Sequence, residues 1–296
     1  MSRMTSLVLA GAVTLAATVH PTLAQNAPTV EVEPLRGALH LLQGRGGNVV
    51  ASVGLDGVLL IDDDYPDLGE AYEEKITELA GGLAPQFVIN THWHGDHTGN
   101  NQFWGERGAV IVAHRNVRQR MSSKQIIEAL AMEVQPSPAI ALPLVTYGDG
   151  LTLHFNGSDV EVQHYPAGHT DGDSVVYYSA ENVVHMGDLF FRDAFPFIDL
   201  SSGGSIKGYI ANVEAVLGRV DDKTLIVRGH GAVASKSDLQ RYLAMLRDTT
   251  AAIGDELDNG RSVEDITAAG LGAQWESWGK GFIKEEQWIA TIAAER

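Results

Sequence analysis

Residues 90–100 read N-T-H-W-H-G-D-H-T-G-N, so His92, His94, Asp96 and His97 fall within six positions of a 296-residue chain that has only 11 histidines. Imidazole and carboxylate are the side chains that ligate divalent cations or move protons near neutrality. In extended backbone, side chains at i and i+2 point the same way, so His92 and His94 can grip one metal. Gly95 permits a turn, after which Asp96 and His97 can reach a second. The chain has no cysteine, which rules out thiolate sites and disulfides and leaves His, Asp, Glu or water as ligands. A third ligand for each metal must come from elsewhere. His169 and His230 are the candidates, and Asp188 offers two oxygens and can bridge. Such a donor set suits Zn²⁺, two per chain, and also suits iron or manganese.

The elements that must position these groups are short strands. F-V-I-N (87–90) runs directly into the histidine cluster. V-Q-H-Y-P-A-G precedes His169, V-V-H-M-G precedes Asp188, and L-I-V-R-G precedes His230. Loops at strand ends converge on one rim, where ligands distant in sequence can meet. Other apolar or alternating runs predict strands at 29–33, 38–42, 48–53, 57–62, 109–113 and 174–178, and a hairpin over 151–164. Helical spacing predicts helices over 68–79, 124–132, 208–217 and 237–253, and near 262–269 and 284–296. The order strands–helix–strand, twice, indicates two stacked sheets with helices outside. His40, His114, His154, His164 and His185 read as ordinary surface or core histidines, because no ligand vacancy is left for them.

Composition bounds the function class. Hydrophobic residues make up 44% and charged residues 20% of the chain, and the formal net charge is −17. That charge disfavours nucleic acid and anionic membrane as partners and leaves a small-molecule substrate, since bound metal can invert the local field. At the N-terminus, Arg3 is followed by the apolar run 7–19, His20-Pro21, and small residues through Ala24. This pattern reads as a secretory signal peptide over 1–24, cleaved after Ala24, with a single domain over 25–296 and no stable membrane anchor after cleavage. The expected location is the periplasm.

T-H-W-H-G-D-H (91–97), G-H-T (168–170), M-G-D (186–188) and G-H-G (229–231), in that order, resemble the motifs of the metallo-β-lactamase superfamily of binuclear metallohydrolases. The resemblance covers about 35–280. It implies an α/β fold, a four-layer αββα sandwich in which two mixed sheets pack face to face with helices outside. It implies His92, His94 and His169 on a first zinc, Asp96, His97 and His230 on a second, and Asp188 between them. Two cations flanking a water would lower its pKa towards ~7 and supply hydroxide at neutral pH, with Asp96 orienting it. Asp62, at the end of V-L-L-I-D, either orients a ligand histidine or is a solvated loop acid beside Asp63 and Asp64.

The sequence is also similar to true zinc β-lactamases, but it departs from their best-known exported subclass. Asp188 stands where that subclass has Cys, His97 where it has Arg, and Phe191 where it has a substrate-anchoring Lys. Arg192, next door, is a candidate substitute. The Asp188 and His97 pattern is the one seen in glyoxalase II-like thioesterases, lactonases and phosphodiesterases of this fold. The reading is therefore a zinc hydrolase opening a β-lactam-type cyclic amide or a related lactone or ester. A glyoxalase II-like thioesterase, a mononuclear iron sulfur dioxygenase and a non-catalytic metal-binding protein are the alternatives. The segment 190–205 is expected to form a loop whose Phe and Ile residues either line an apolar pocket or pack on the core.

Overall fold

The computed structural model describes residues 29–296, so the expected leader lies outside the described residues. The first half of the chain builds one sheet. Strands β1 (Glu31–Pro34), β2 (Leu39–Gln43), β3 (Val49–Gly54) and β4 (Gly57–Ile61) form an antiparallel meander. Helix α1 (Gly69–Ala80) then crosses over to β5 (Phe87–Asn90). The short helices α2 (Gly95–Thr98) and α3 (Asn101–Glu106) lead to β6 (Val110–His114), and α4 (Arg115–Met121) follows. A hairpin of β7 (Gln125–Ile127) and β8 (Met132–Val134) stands apart before β9 (Val145–Tyr147). The sheet runs β1-β2-β3-β4-β5-β6-β9, with β4, β5, β6 and β9 parallel.

The second half builds the facing sheet from β10 (Gly150–Phe155), β11 (Ser158–His164), β12 (Ser174–Tyr178), β13 (Val183–His185) and β14 (Leu225–Val227), in that order. Its helices are α5 (Ile206–Leu217), α6 (Lys236–Asp258), α7 (Val263–Ala269) and α8 (Glu285–Ala294).

Strand alternation divides the apolar residues among three layers. In β4, Leu59 and Ile61 face the second sheet, where they join Val160, Val162, Val176 and Val227. Val58 and Leu60 point the other way, onto Tyr72 and Ile76 of α1 and Trp104 of α3. Across the molecule, Val175, Val184 and Ile226 meet Tyr209 and Val213 of α5, Leu246 of α6 and Trp288 of α8. A strand buried on both faces reads as continuous apolar sequence, which is why V-L-L-I shows no alternation. The result is the expected αββα sandwich of two mixed sheets.

The helix expected over 124–132 is not formed. Residues 125–134 make the β7–β8 hairpin, with Gln125 opposite Val134 and Ile127 opposite Met132. Ala131 closes it in the left-handed region, at φ +48°. Tertiary packing explains the difference: Ile127 is inserted into the second core while its neighbour Ile126 stays exposed. That is strand alternation, which the apolar run Q-I-I-E-A-L-A-M conceals. Among the described residues, no helix is long and apolar enough to cross a membrane.

Candidate metal centre

The ligand-type residues lie at the C-terminal ends of strands in both sheets, on one rim. Asp62 follows β4, His92 to His97 follow β5, Asp188 follows β13 and His230 follows β14, while His169 sits in the turn between β11 and β12. The structure brings them together in three overlapping groups: His92, His94 and His169; His92, His97 and Asp188; and Asp96, His97 and His230. His92, His97 and His169 are buried, with exposures of 0–1%. Asp188 is central. Its Oδ1 lies 3.2 Å from His97 Nε2 and 3.4 Å from His230 Nε2, and its Oδ2 lies 3.6 Å from His169 Nε2. Asp96 Oδ2 stands 3.3 Å from His230 Nε2 and 3.7 Å from His97 Nε2.

Each histidine is held by its outer nitrogen. His97 Nδ1–H donates to Asp62 Oδ2 at 2.8 Å, His169 Nδ1–H to the Phe197 carbonyl at 2.7 Å, and His230 Nδ1–H to the Gly46 carbonyl at 3.1 Å. His92 Nδ1 contacts Thr91 Oγ1 at 3.0 Å. His94 is turned the other way, with Nε2–H donating to Asp199 Oδ2 at 3.1 Å. In the neutral rings these bonds fix the tautomers, so that Nδ1 of His94 and Nε2 of the other four are the inward-facing ligand atoms. The inward atoms of His94 and His169 face each other at 2.8 Å, an arrangement that only a shared proton or a cation makes favourable. His92 Nε2 is buried without any hydrogen-bond partner, and so is Asp188 Oδ1. Orphaned buried donors and acceptors are rare. Five imidazoles and two carboxylates facing inward, two of their atoms orphaned and four ring nitrogens in hydrogen-bond geometry only with one another, fit two divalent cations.

The carboxylates set the charge of the rings they face. Burial opposes the charge on His97, but Asp188, Asp96 and Asp62 outweigh it and raise its imidazolium well above the ordinary range. His230 is raised in the same way against burial, chiefly by Asp188. Burial and the neighbouring His94 push His169 down to about 4. Asp188 resists burial through His230 and His97 and is held well below the carboxylate range.

Asp62 is not a solvated acid. It is fully buried in the left-handed region at φ +60°, and besides His97 it accepts from Thr91 N at 2.7 Å and Thr91 Oγ1 at 2.8 Å. Asp64 accepts from the amides of Arg45 and Gly46 and from Tyr72 Oη. It thereby ties down the turn at 44–47 that supplies His230 with its acceptor. Asn48 completes the clasp, donating from Nδ2 to the carbonyls of Arg228 at 2.8 Å and Gly231 at 2.7 Å, on either side of His230. Backbone approach here is close. A Cβ on Gly47 would sit 2.5 Å from His97 Cε1, and one on Gly229 would collide with the Asp188 carboxylate.

The centre forms the floor of a cavity of about 780 Å³. Phe191, Phe197 and Ala194 line it from the segment at 190–205, whereas Phe190, Phe195 and Ile198 of that segment pack into the core. Leu130 and Met132 reach it from the β7–β8 hairpin, and Phe282 from before α8. Arg192 also lines the cavity, but its guanidinium is engaged by Asp193 at 3.1 Å and Asp238 at 3.6 Å. Arg228, on the same wall, was not singled out in the sequence; burial and the charge of Arg192 lower its pKa. Asn48, Thr91 and Asp199 were also missed. Only the glycine-rich turn before β3 and the second acid of the 190–205 segment hinted at two of them.

Comparison with known proteins follows the same lines. The family model described as "Metallo-beta-lactamase superfamily" matches residues 68–230. The metallo-beta-lactamase type 2 of Bacillus cereus is 26% identical over 211 residues, covering 68% of this chain and 75% of that protein. A probable metallo-hydrolase of Bacillus subtilis, YqgX, is 25% identical over 190 residues, covering 62% and 87%. The crystal structure of the DIM-1 metallo-beta-lactamase superposes with a TM-score of 0.61 at 15% identity, over 75% of this chain and 99% of that one.

Proposed function

From the premise that this chain belongs to the metallo-β-lactamase superfamily of metallohydrolases, we propose that it is a binuclear zinc hydrolase of a carbonyl substrate, a β-lactam-type cyclic amide or a related lactone or ester. One observation carries the reading: the seven donors form three overlapping groups, and Asp188 lies within reach of His169 on one side and His97 on the other. His92, His94 and His169 would hold one ion; Asp96, His97 and His230 the other; Asp188 would join them. When bound, the ions supply Lewis-acid polarisation of a carbonyl and acidification of water towards neutrality.

The chain's own residues do the rest. Asp62, Asp199 and the carbonyls of Phe197 and Gly46 keep the imidazoles in the ligating tautomer, so no reorganisation is needed at the moment of reaction. Asp96 has a side chain that is 21% exposed against 7% for Asp188. Asp96 is thus the carboxylate of the centre more open to the cleft, and it is placed to accept a hydrogen from a water there and orient it. Trp93, Phe191 and Phe197 exclude bulk water from the floor.

The test is metal analysis with a substrate panel. Zinc-loaded protein should carry close to two ions per chain and turn over at least one of a chromogenic β-lactam, a lactone or a thioester. Failure of metal-replete enzyme on all three would remove the reading. Turnover of the thioester alone would establish the glyoxalase II-like alternative, which the His97 and Asp188 pattern favours. One iron per chain with oxygen uptake would establish the dioxygenase. The leader-like segment 1–24 supports export to the periplasm, and a mature N-terminus at Gln25, read by mass spectrometry, is the expected product.

A further inference from the structure

The β7–β8 hairpin belongs to neither of the two large sheets, yet it forms part of the cleft wall through Leu130 and Met132. Ile127 seats its base in the second core. Two polar links tie it sideways. Glu128 N, just past β7, donates to Ser201 Oγ at 3.3 Å, and Gln125 Oε1 accepts from Arg120 Nη1 at 3.1 Å. Both links lead to one short segment. Ser201 Oγ donates in turn to Asp199 Oδ1. Arg120 grips the Asp171 carboxylate by two further bonds, at 2.8 and 2.7 Å, and Asp171 N donates to the Ser202 carbonyl at 2.9 Å.

That segment, 197–205, braces two of the three histidines in the group His92, His94 and His169. Asp199 Oδ2 accepts from His94 Nε2 at 3.1 Å. The Phe197 carbonyl accepts from His169 Nδ1 at 2.7 Å, and Asp199 N donates to the His169 carbonyl at 3.0 Å. The packing leaves no room for adjustment: a Cβ on Gly204 would sit 2.5 Å from the His169 carbonyl oxygen. His97 and His230 are braced from other parts of the chain, by Asp62 and the Gly46 carbonyl. In a close-packed interior a shift at one point is passed on rather than absorbed. A displaced hairpin therefore disturbs the braces of His94 and His169 and spares those of His97 and His230. Ser201 itself is exposed, so its bonds add little to stability; their effect is on position.

We propose that Ser201 is a positioning residue for the first ion, acting through Asp199 on His94, and that it couples the β7–β8 hairpin to that ion, with Gln125 and Arg120 as a second strap. The hairpin seated against 199–202 keeps His94 and His169 at the spacing that holds the ion. The ion in turn holds the hairpin down, because a coupling free energy acts equally in both directions. The cleft wall formed by Leu130 and Met132 is therefore set by the occupancy of one metal site and not of the other. This rests on the metal-centre reading and gives its two ions different structural roles.

Hydrogen exchange read by mass spectrometry, on metal-free and zinc-loaded protein, tests this without turnover. In wild type, zinc should slow exchange of the amides at 125–134 roughly ten-fold, a usual size for coupling between two sites. In the double variant Ser201→Ala/Gln125→Ala that difference should largely vanish, while zinc still protects the loop at 92–98, which shows that the variant folds and binds metal. Restoring a hydroxyl, as Ser201→Thr with Gln125 intact, should give back the zinc response of the hairpin. By reciprocity, chelator competition should find one zinc ion of the double variant about ten-fold weaker and the other unchanged. Hairpin exchange indifferent to zinc in wild type, or a zinc response that survives in the double variant, overturns the proposal and leaves the hydrolase reading standing. Equal weakening of both ions also overturns it, since Ser201 would then serve stability alone. A wild type that takes up no zinc overturns both.

Discussion

His97 Nδ1 lies 2.8 Å from Asp62 Oδ2, and both side chains are fully buried. The contact joins the end of β4 to the end of β5, and it sets which nitrogen of His97 faces Asp188 and Asp96. Asp62→Asn would keep the shape but remove the charge that favours the Nδ1–H tautomer. An outer partner of this kind is typically worth 10–100-fold in metal affinity. The expected outcome is a 10–100-fold weaker second zinc with the first retained, measured by competition with a chromogenic chelator. Loss of both ions in parallel, or of neither, would refute the assignment.

Asn48 acts through the backbone around His230. Its Nδ2 bonds to Arg228 O and Gly231 O join two loops from opposite sheets. Asn48→Ala would leave both carbonyls without that donor, at a cost of roughly 2–4 kcal/mol. Denaturant titration should show that loss, and the zinc content should fall from about two towards one. A stability change below about 1 kcal/mol would show that water replaces the amide without penalty.

How much of this was legible beforehand depended on how local the signal was. The H-x-H-x-D-H spacing, and the glycines beside His169, Asp188 and His230, are contiguous in the chain and were sufficient to gather the seven donors. The order strands–helix–strand, twice, pointed to two stacked sheets with helices outside, and the motif resemblance implied the αββα layering in which V-L-L-I and F-V-I-N are strands covered on both faces. The β7–β8 hairpin was not legible, because its period is set by Ile127 entering a core formed by residues far away in sequence. Asn48, Asp199 and Arg228 were not legible for the same reason: a lone Asn, Asp or Arg acquires its role from partners on other elements, such as Asp199 at His94 over a separation of 105 residues. The sequence also left Asp62 open between two roles, which only its burial against Thr91 and His97 decides.

His114 and His164 stack at 3.6 Å between ring centroids with an interplanar angle of 5°. Burial, then the neighbouring His164, lowers His114 from 6.5 to about 4. His114 Nδ1 also accepts from Asn116 N at the start of α4, and protonation would end that bond. Below pH 6.5 the unfolded chain takes up a proton that the folded chain refuses, so stability falls as the pH drops from 6.5 to about 4 and levels off below. Between pH 7 and pH 5, only part of this interval, the loss is about 1–2 kcal/mol. Denaturant melts of metal-free wild type and His114→Gln at pH 7 and pH 5 should differ by that amount in their pH dependence. Parallel losses in both proteins would assign the effect to other groups.

Zinc uptake should release protons. His97 and His230 are driven towards the charged form by Asp188, in spite of their burial. A cation entering between Nε2 of these rings and Asp188 takes the place of their protons, because a ligating imidazole must be neutral. At pH 7, zinc titrations in buffers of different ionisation heat should therefore show at least one proton released per chain. As pH falls, protons compete more strongly, and affinity should weaken about tenfold per pH unit for each proton released. The same competition predicts that chelation of zinc lowers the melting temperature and that added zinc restores it, by mass action on the folded state. Zinc binding with no buffer-dependent heat would mean that His97 and His230 are already neutral, and that Asp188 is balanced by something other than their protons.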